Sequence, residues 1–177
     1  VTDLTLITNT PGMPGFGRAK MYEKGMVSEL ISTHVGTTPE STKEYLDGNL
    51  TVKQFYPMGT WIEKVRAGGV GLGGVLVPVG VGILDEEGLF PDLDKAKEKI
   101  SVNGKEYFVE PALTAPVSIV RAWRGDKAGN LEYRYTGRHA NTELAMAGEF
   151  TIAEVNEIVE IGEIDPENVG TPGPFVD

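Results

Sequence analysis

The segment that most limits the fold is Ala67 to Leu84. It runs 18 residues without a charge, close to the length that spans a bilayer as a helix. It also holds seven glycines and Pro78. At about 1 kcal/mol per Gly and about 3 for Pro, a helix here would cost on the order of 10 kcal/mol relative to alanine. The segment therefore reads as a glycine loop feeding a β-branched buried strand, expected over Val75–Leu84.

Around it, helix and strand signals alternate. Strands are expected at Leu4–Thr8, Ser28–Val35, Leu50–Phe55, Ile100–Val102, Glu106–Val109, Val117–Trp123, Leu131–Tyr135 and Phe150–Val155. Helices are expected over Arg18–Lys24, from Pro39 to Leu46, over Trp61–Ala67 with Thr60 as N-cap and Glu63 as its capping-box acid, and over Asn141–Ala147. Asn103-Gly104 between two apolar runs signals a hairpin. Asp85–Lys99 reads as a surface excursion, and the prolines of the tail disfavour regular structure. The expected fold class is α/β: an open, mostly parallel sheet with flanking helices and an antiparallel hairpin extension, in one domain.

Composition removes several functions. The chain has 177 residues and no cysteine, which excludes disulfides, thiol nucleophiles, zinc-thiolate sites and iron–sulfur clusters. A net charge of −10 argues against sequence-independent binding of nucleic acid or of anionic membrane. His34 and His139 are the only histidines, too few for a multi-histidine metal site. No secretory leader is visible, and the lack of cysteine fits a cytoplasmic protein.

Gly69, Gly71 and Gly74 form GxGxxG, but the helix precedes the glycines and the strand follows, the reverse of the dinucleotide-binding order. Two readings stay open: a helix-to-strand loop packed too tightly for side chains, or a loop that lets a ligand approach the backbone. Pro57-Met58-Gly59-Thr60 precedes a helix and reads as a turn with an N-cap or as an anion-attracting helix start. Four of the six arginines fall within Arg121–Arg138, able to bind a phosphate or carboxylate or to pair with the many acids.

The ordered set of segments resembles the alpha subunit of family I CoA-transferases, of the acetate/acetoacetyl-CoA and succinyl-CoA:3-oxoacid type. It comprises Pro57–Leu76, Val79–Gly82, Gly104–Tyr107, Glu110–Leu113, Ala122–Asn130, Arg138 with Asn141, Glu154–Pro166 and Thr171–Gly173. The resemblance implies a beta-subunit partner, commonly in an α2β2 assembly, with an acyl-CoA and a carboxylic acid as substrates. Coenzyme A would be a substrate, with no permanently bound cofactor and no metal. In such enzymes a beta-subunit glutamate attacks the thioester, giving an acyl-glutamyl anhydride and then a glutamyl-CoA thioester. The family's Ser-Glu-Asn-Gly nucleophile motif is not in this chain, so no catalytic residue is expected here. Substrate-binding positions implied are Met58, Gly59, Thr60, Gly71, Gly73, Gly74, Arg138 and Asn141.

Three departures from the family pattern stand out. The signature Gly-Gly-Phe loop, with its strand and helix, would lie upstream of Val1, and Gly15-Phe16-Gly17 is not in its context. Met58 replaces a glutamine that supports the acyl oxygen, which suggests a more apolar acyl pocket. Arg138-His139-Ala140-Asn141-Thr142 replaces Arg-Asn-Phe-Asn-Pro. Other readings of the same broad fold are a non-catalytic structural subunit, a sugar-phosphate isomerase or a CoA-ester sensor.

Overall fold

The computed structural model describes residues 1–84 and 98–177. In chain order the elements are β1 (Leu4–Ile7), α1 (Ala19–Glu23), β2 (Val27–Ser32), α2 (Pro39–Leu46), β3 (Thr51–Phe55), α3 (Met58–Gly69), β4 (Gly74–Val77), β5 (Lys99–Val102), β6 (Lys105–Pro111), β7 (Ala115–Asp126), β8 (Leu131–Glu132), α4 (Asn141–Ala147), β9 (Gly148–Val159) and β10 (Val169–Thr171). Two single 3-10 turns flank β10, at Pro166–Asn168 and Gly173–Phe175. The chain forms two compact units: Val1–Trp61 with Leu76–Glu110, and Ile62–Val75 with Pro111–Asp177.

The first unit carries a parallel sheet in the order β1-β2-β3, built from consecutive strand–helix–strand steps. Tyr22, Val27, Leu30 and Leu50 are its buried core, with Leu6, Met21, Val35 and Val52 packed against them. Helix α2 starts at Pro39 as the sequence suggests, and Thr38 caps it: its Oγ accepts from Ser41 N–H at 3.1 Å. The hairpin also forms where expected. Asn103 and Gly104 take φ of 51° and 76° between β5 and β6, as a two-residue turn with both central residues left-handed requires. A further sheet has the order β4-β6-β5.

In the second unit the strand order is β10-β8-β7-β9. Strands β7 and β9 are parallel and twelve residues each, in one unbroken register from Ala115 opposite Gly148 to Asp126 opposite Val159. Val120, Ala122, Leu131 and Ala145 make the core, so α4 closes one face of this sheet. Parallel pairing and an antiparallel hairpin are both present, as the sequence implies, but the strands divide among three sheets.

Three local expectations change. Helix α3 begins at Met58, and Thr60 is its buried third residue, not its cap. Pro57 serves as the entry instead: its carbonyl accepts from Trp61 N–H at 2.9 Å, and a proline loses nothing where no N–H is needed. The strand expected over Val75–Leu84 stops at Val77, because Pro78 cannot donate and Gly80 and Gly82 turn left-handed at φ 90° and 81°. The strand expected at Leu131–Tyr135 ends at Glu132, and Tyr135 is left-handed at φ 54°. The expected excursion at 85–99 lies outside the described residues except for Glu98 and Lys99.

Candidate functional site

Because β1, β2 and β3 are parallel, their carboxyl ends lie on one side of the sheet, the side where open α/β sheets place ligands. Three chain segments meet there. After β3 comes the start of α3, with Met58 43% exposed, Gly59 exposed and Thr60 buried. The N–H groups of this first turn have no helical carbonyl to meet and aim their partial positive charge outward. A Cβ on Gly59 would meet nothing within 4 Å among the described residues.

At the end of β2 stands Ser32, followed by Thr33 and His34. The hydroxyls of Ser32 and Thr33 donate to the Asn9 carbonyl at 3.2 and 2.5 Å, tying this end to the loop after β1. Thr33 has thereby spent its only proton. The His34 Nδ1, 2.9 Å away, must carry a hydrogen and donate to it. The His34 Nε2 is buried with no hydrogen-bond partner among the described residues, so the ring is packed into the sheet end.

The third segment is the loop after β1, which is absent from the binding positions expected above. Phe16 N–H donates to the Met13 carbonyl at 3.1 Å, and Gly15 sits at φ 72°. With Pro14 ahead of a left-handed glycine, Met13–Phe16 is a type II turn. Arg18 braces it, donating to the Thr10 carbonyl at 2.7 Å, the Thr10 hydroxyl at 3.0 Å and Asn9 Oδ1 at 3.3 Å. The signal available in sequence was the Pro-Gly pair between two large apolar residues.

In the second unit the glycines of the 68–74 stretch separate by cause. A Cβ on Gly68 would lie 2.1 Å from the Leu113 carbonyl oxygen, and one on Gly69 2.6 Å from the Met146 Cβ. Gly71, at φ 76°, ends α3. Leu72 N–H reaches the Ala67 carbonyl at 2.8 Å and Gly71 N–H the Gly68 carbonyl at 3.2 Å, the two-bond closure that needs a left-handed residue. Gly73 has neither cause: its φ is not left-handed, and a Cβ there would touch nothing within 4 Å among the described residues. Gly74 opens β4.

Asn141 begins α4. Its amide donates to the Gly137 carbonyl at 2.8 Å, its Oδ1 accepts from Arg121 N–H at 3.4 Å, and its own N–H donates to the Arg138 carbonyl at 2.8 Å. Asn141 thus closes the turn that presents the exposed Arg138. The arginines divide. Arg121 pairs with Glu154 at 3.6 Å, and Arg124 donates to Glu132 at 2.7 Å. Arg134 stacks 3.6 Å over the Trp123 ring. Arg138 has no ion pair among the described residues.

The Asp126–Asn130 turn is knotted to the tail. Asp126 Oδ1 accepts from Ala128 and Asn130 N–H, both at 2.9 Å, and Oδ2 from the Asn130 amide at 2.9 Å. Burial alone would raise this carboxyl. The Asn130 side chain and the two backbone N–H groups outweigh it and hold the pKa below the usual value. Asn130 Oδ1 accepts from Gly173 N–H at 3.0 Å, and a Cβ on Gly173 would sit 2.0 Å from the Ala128 carbonyl oxygen. No group of three or more His, Asp or Glu side chains able to hold a metal occurs among the described residues. Among the same residues no helix is long and apolar enough to cross a membrane.

Comparison with known proteins accounts for this arrangement. The A-type subunit of the succinyl-CoA:3-ketoacid coenzyme A transferase of Xanthomonas campestris pv. campestris (strain B100) is 42% identical over 177 residues, all of this chain and 69% of that one. The alpha subunit of the acetate CoA-transferase of Escherichia coli (strain K12) is 38% identical, over all of this chain and 76% of that one. A crystal structure of an acyl-CoA transferase from E. coli O157:H7 shares the fold, with a TM-score of 0.84 at 20% identity; the match takes in the whole of this chain and 37% of that one. A sequence model of the family described as Coenzyme A transferase matches residues 1–177. With its full length matched, these two relatives named as A-type and alpha subunits and its fold in agreement, the chain belongs to the coenzyme A transferase family.

Proposed function

We propose that this chain is the alpha-type subunit of a two-subunit CoA-transferase, which moves CoA from an acyl-CoA to a carboxylic acid through a glutamyl-CoA thioester on a beta subunit. The observation that carries the reading is the full-length family match combined with a helix start at the carboxyl edge of a parallel sheet.

The chain supplies no nucleophile of the expected motif, so its own residues bind and orient. The first-turn N–H groups of α3 suit an oxygen that gains negative charge as the thioester is attacked, a role worth about a hundredfold or more in rate per donor. Met58 adds no hydrogen bond, and the backbone N–H of Gly59 takes over that task. Of the eight expected binding positions, Met58 and Arg138 are exposed, and among the described residues no collision accounts for the small size of Gly59 or Gly73. Gly71 and Asn141 also hold local structure, Gly74 opens β4, and Thr60 is packed at the base of the α3 start.

A partner is further supported by the face of the β7/β9 pair away from α4. Val117, Ile119, Phe150 and Ile152 are 52, 68, 49 and 47% exposed there, whereas parallel strands are ordinarily covered on both faces. The complex needs no permanently bound cofactor in this reading, with CoA entering and leaving as substrate. The test is exchange of CoA between two isotopically distinguished carboxylates, measured on the co-purified complex and on this chain alone. Exchange by the complex and none by the isolated chain is expected. Full activity of the isolated chain refutes its role as one of two subunits, and a complex that converts an aldose phosphate instead refutes the transferase.

A further inference from the structure

We infer that the turn Met13–Phe16 is the distal wall of the acyl site, which makes this enzyme selective for acyl groups longer than acetyl; the inference rests on the CoA-transferase reading above. Met13 and Phe16 are each 70% exposed although both are large and apolar. They are not on a loose loop. Pro14-Gly15 fixes the type II geometry, the Phe16 N–H to Met13 carbonyl bond closes it at 3.1 Å, and the three Arg18 hydrogen bonds hold its base. Positions i and i+3 of the turn are therefore displayed in water by a braced backbone, at a steady hydrophobic cost.

The turn leaves the carboxyl end of β1, and α3 starts from the carboxyl end of β3, with β2 between them. The carboxyl ends of β1 and β3 are therefore two strand spacings apart, about 10 Å, a span that an acyl chain of about eight carbons covers and an acetyl group does not. Met58, 43% exposed, is a further apolar group at the β3 end of that span. Three side chains cannot make the roughly 800 Å² per partner of a stable protein interface, but they suit one flank of a narrow alkyl site lined by a few adaptable apolar groups.

The experiment uses the native alpha–beta complex with acetyl-, butyryl-, hexanoyl- and octanoyl-CoA as donors to one fixed acceptor. Phe16→Ala should raise KM for octanoyl-CoA about tenfold and leave KM for acetyl-CoA within about twofold, kcat changing little; Met13→Ala should do the same more weakly. Phe16→Leu should restore most of the loss. Both positions are exposed, and melting temperature checks that the variants fold. An equal effect at every chain length overturns the inference. So does dissociation of the complex with the chain-length ratio unchanged, which would make the turn part of the partner interface. Equilibrium binding of octanoyl- against acetyl-CoA to the wild-type and Phe16→Ala complexes is measured in parallel. If no CoA transfer occurs, the function reading fails by itself. The binding ratio still decides the turn: lost discrimination in Phe16→Ala upholds it, and unchanged discrimination overturns it.

Discussion

The turn at Asp126–Asn130 and the helix start at Met58–Thr60 belong to the same set of family-like segments, and they spend their residues in opposite ways. In the first, every polar group of Asp126 and both ends of the Asn130 amide are engaged inside the chain, and Gly173 fits because nothing larger can. In the second, Gly59 faces open space, Met58 is half exposed, and the first-turn N–H groups meet no helical acceptor. A shared sequence pattern thus mixes two kinds of constraint. Residues consumed by internal bonds serve the fold, and residues left over point to what the chain meets.

The largest effect should come from filling the tightest position of the locked turn. Gly173→Ala places a methyl carbon where 2.0 Å separates it from a backbone carbonyl oxygen. Backbone must move, and the packing of Asn130 and Gly129 moves with it. A loss of about 3 kcal/mol is expected, or a fall of roughly 6 to 12 °C in Tm for a chain of this size. Chemical denaturation of the variant within about 0.5 kcal/mol of wild type would mean the tail is not seated on the turn.

Next comes Asp126. Removing its carboxylate in Asp126→Ala should cost about 2 kcal/mol at pH 7, as hydrogen bonds to a charged acceptor disappear. The sign with pH follows from its depressed folded pKa. Above the unfolded value of about 3.9 the carboxylate is charged in both states, and its contribution is complete. As pH falls through the lower folded value, the unfolded state already holds the proton, and the contribution disappears. Urea denaturation of wild type and Asp126→Ala should therefore differ at pH 7, with the difference shrinking as pH falls below the unfolded value of about 3.9 and through the lower folded one. A constant difference across that range would locate the stabilisation in the turn's shape rather than in the charge.

Much of the locked region was legible. Asp126 to Asn130 reads as a turn from residue types alone, and α4 has the bounds its pattern suggests, because short-range rules decide both. The hairpin at Asn103-Gly104 is readable for the same reason. What is not legible depends on distant partners. Nothing near Gly173 in sequence says that Ala128 lies against it, 45 residues earlier. The register of β7 with β9 is set across the intervening β8 and α4, so the strands run longer than their apolar cores suggest. Thr60 resembles a cap because its residue type fits one; the Pro57 carbonyl already accepts from Trp61 N–H, so the helix starts at Met58 and takes Thr60 into its first turn. At the site, Gly68, Gly69, Gly71 and Gly73 look alike as letters. Only their neighbours tell packing, chain reversal and open space apart.

A smaller effect on folding, and a visible one on specificity, is expected at the open region. Met58→Gln exchanges two unbranched residues of similar helix propensity at a half-exposed site, so stability should stay within about 0.5 kcal/mol. In the complex, the ratio of kcat/KM for acetyl-CoA over hexanoyl-CoA should rise by about threefold or more, as a side-chain donor is gained and apolar packing against the longer chain is weakened. An unchanged ratio would place the acyl group away from the α3 start.

The smallest expected effect on folding, with a reversed sign, is the sharpest use of the comparison. Gly73→Val introduces a side chain at a φ that other residues adopt, into space where its first atom meets nothing. Restricting the unfolded chain should then leave the isolated protein as stable as wild type, or more stable by up to about 1 kcal/mol. If the stretch were glycine-rich only for packing, the outcome would resemble Gly68, where a Cβ would lie 2.1 Å from a carbonyl oxygen, and stability would fall by several kcal/mol. If the residue faces substrate or the beta subunit, the cost appears only there, as failed assembly or raised KM for acyl-CoA in a chain that melts normally. Thermal melts of the isolated chain, paired with assembly and kinetics of the complex, separate the two cases. A variant normal in all three would remove Gly73 from the binding surface and leave Gly59, at the start of α3, as the glycine to test next.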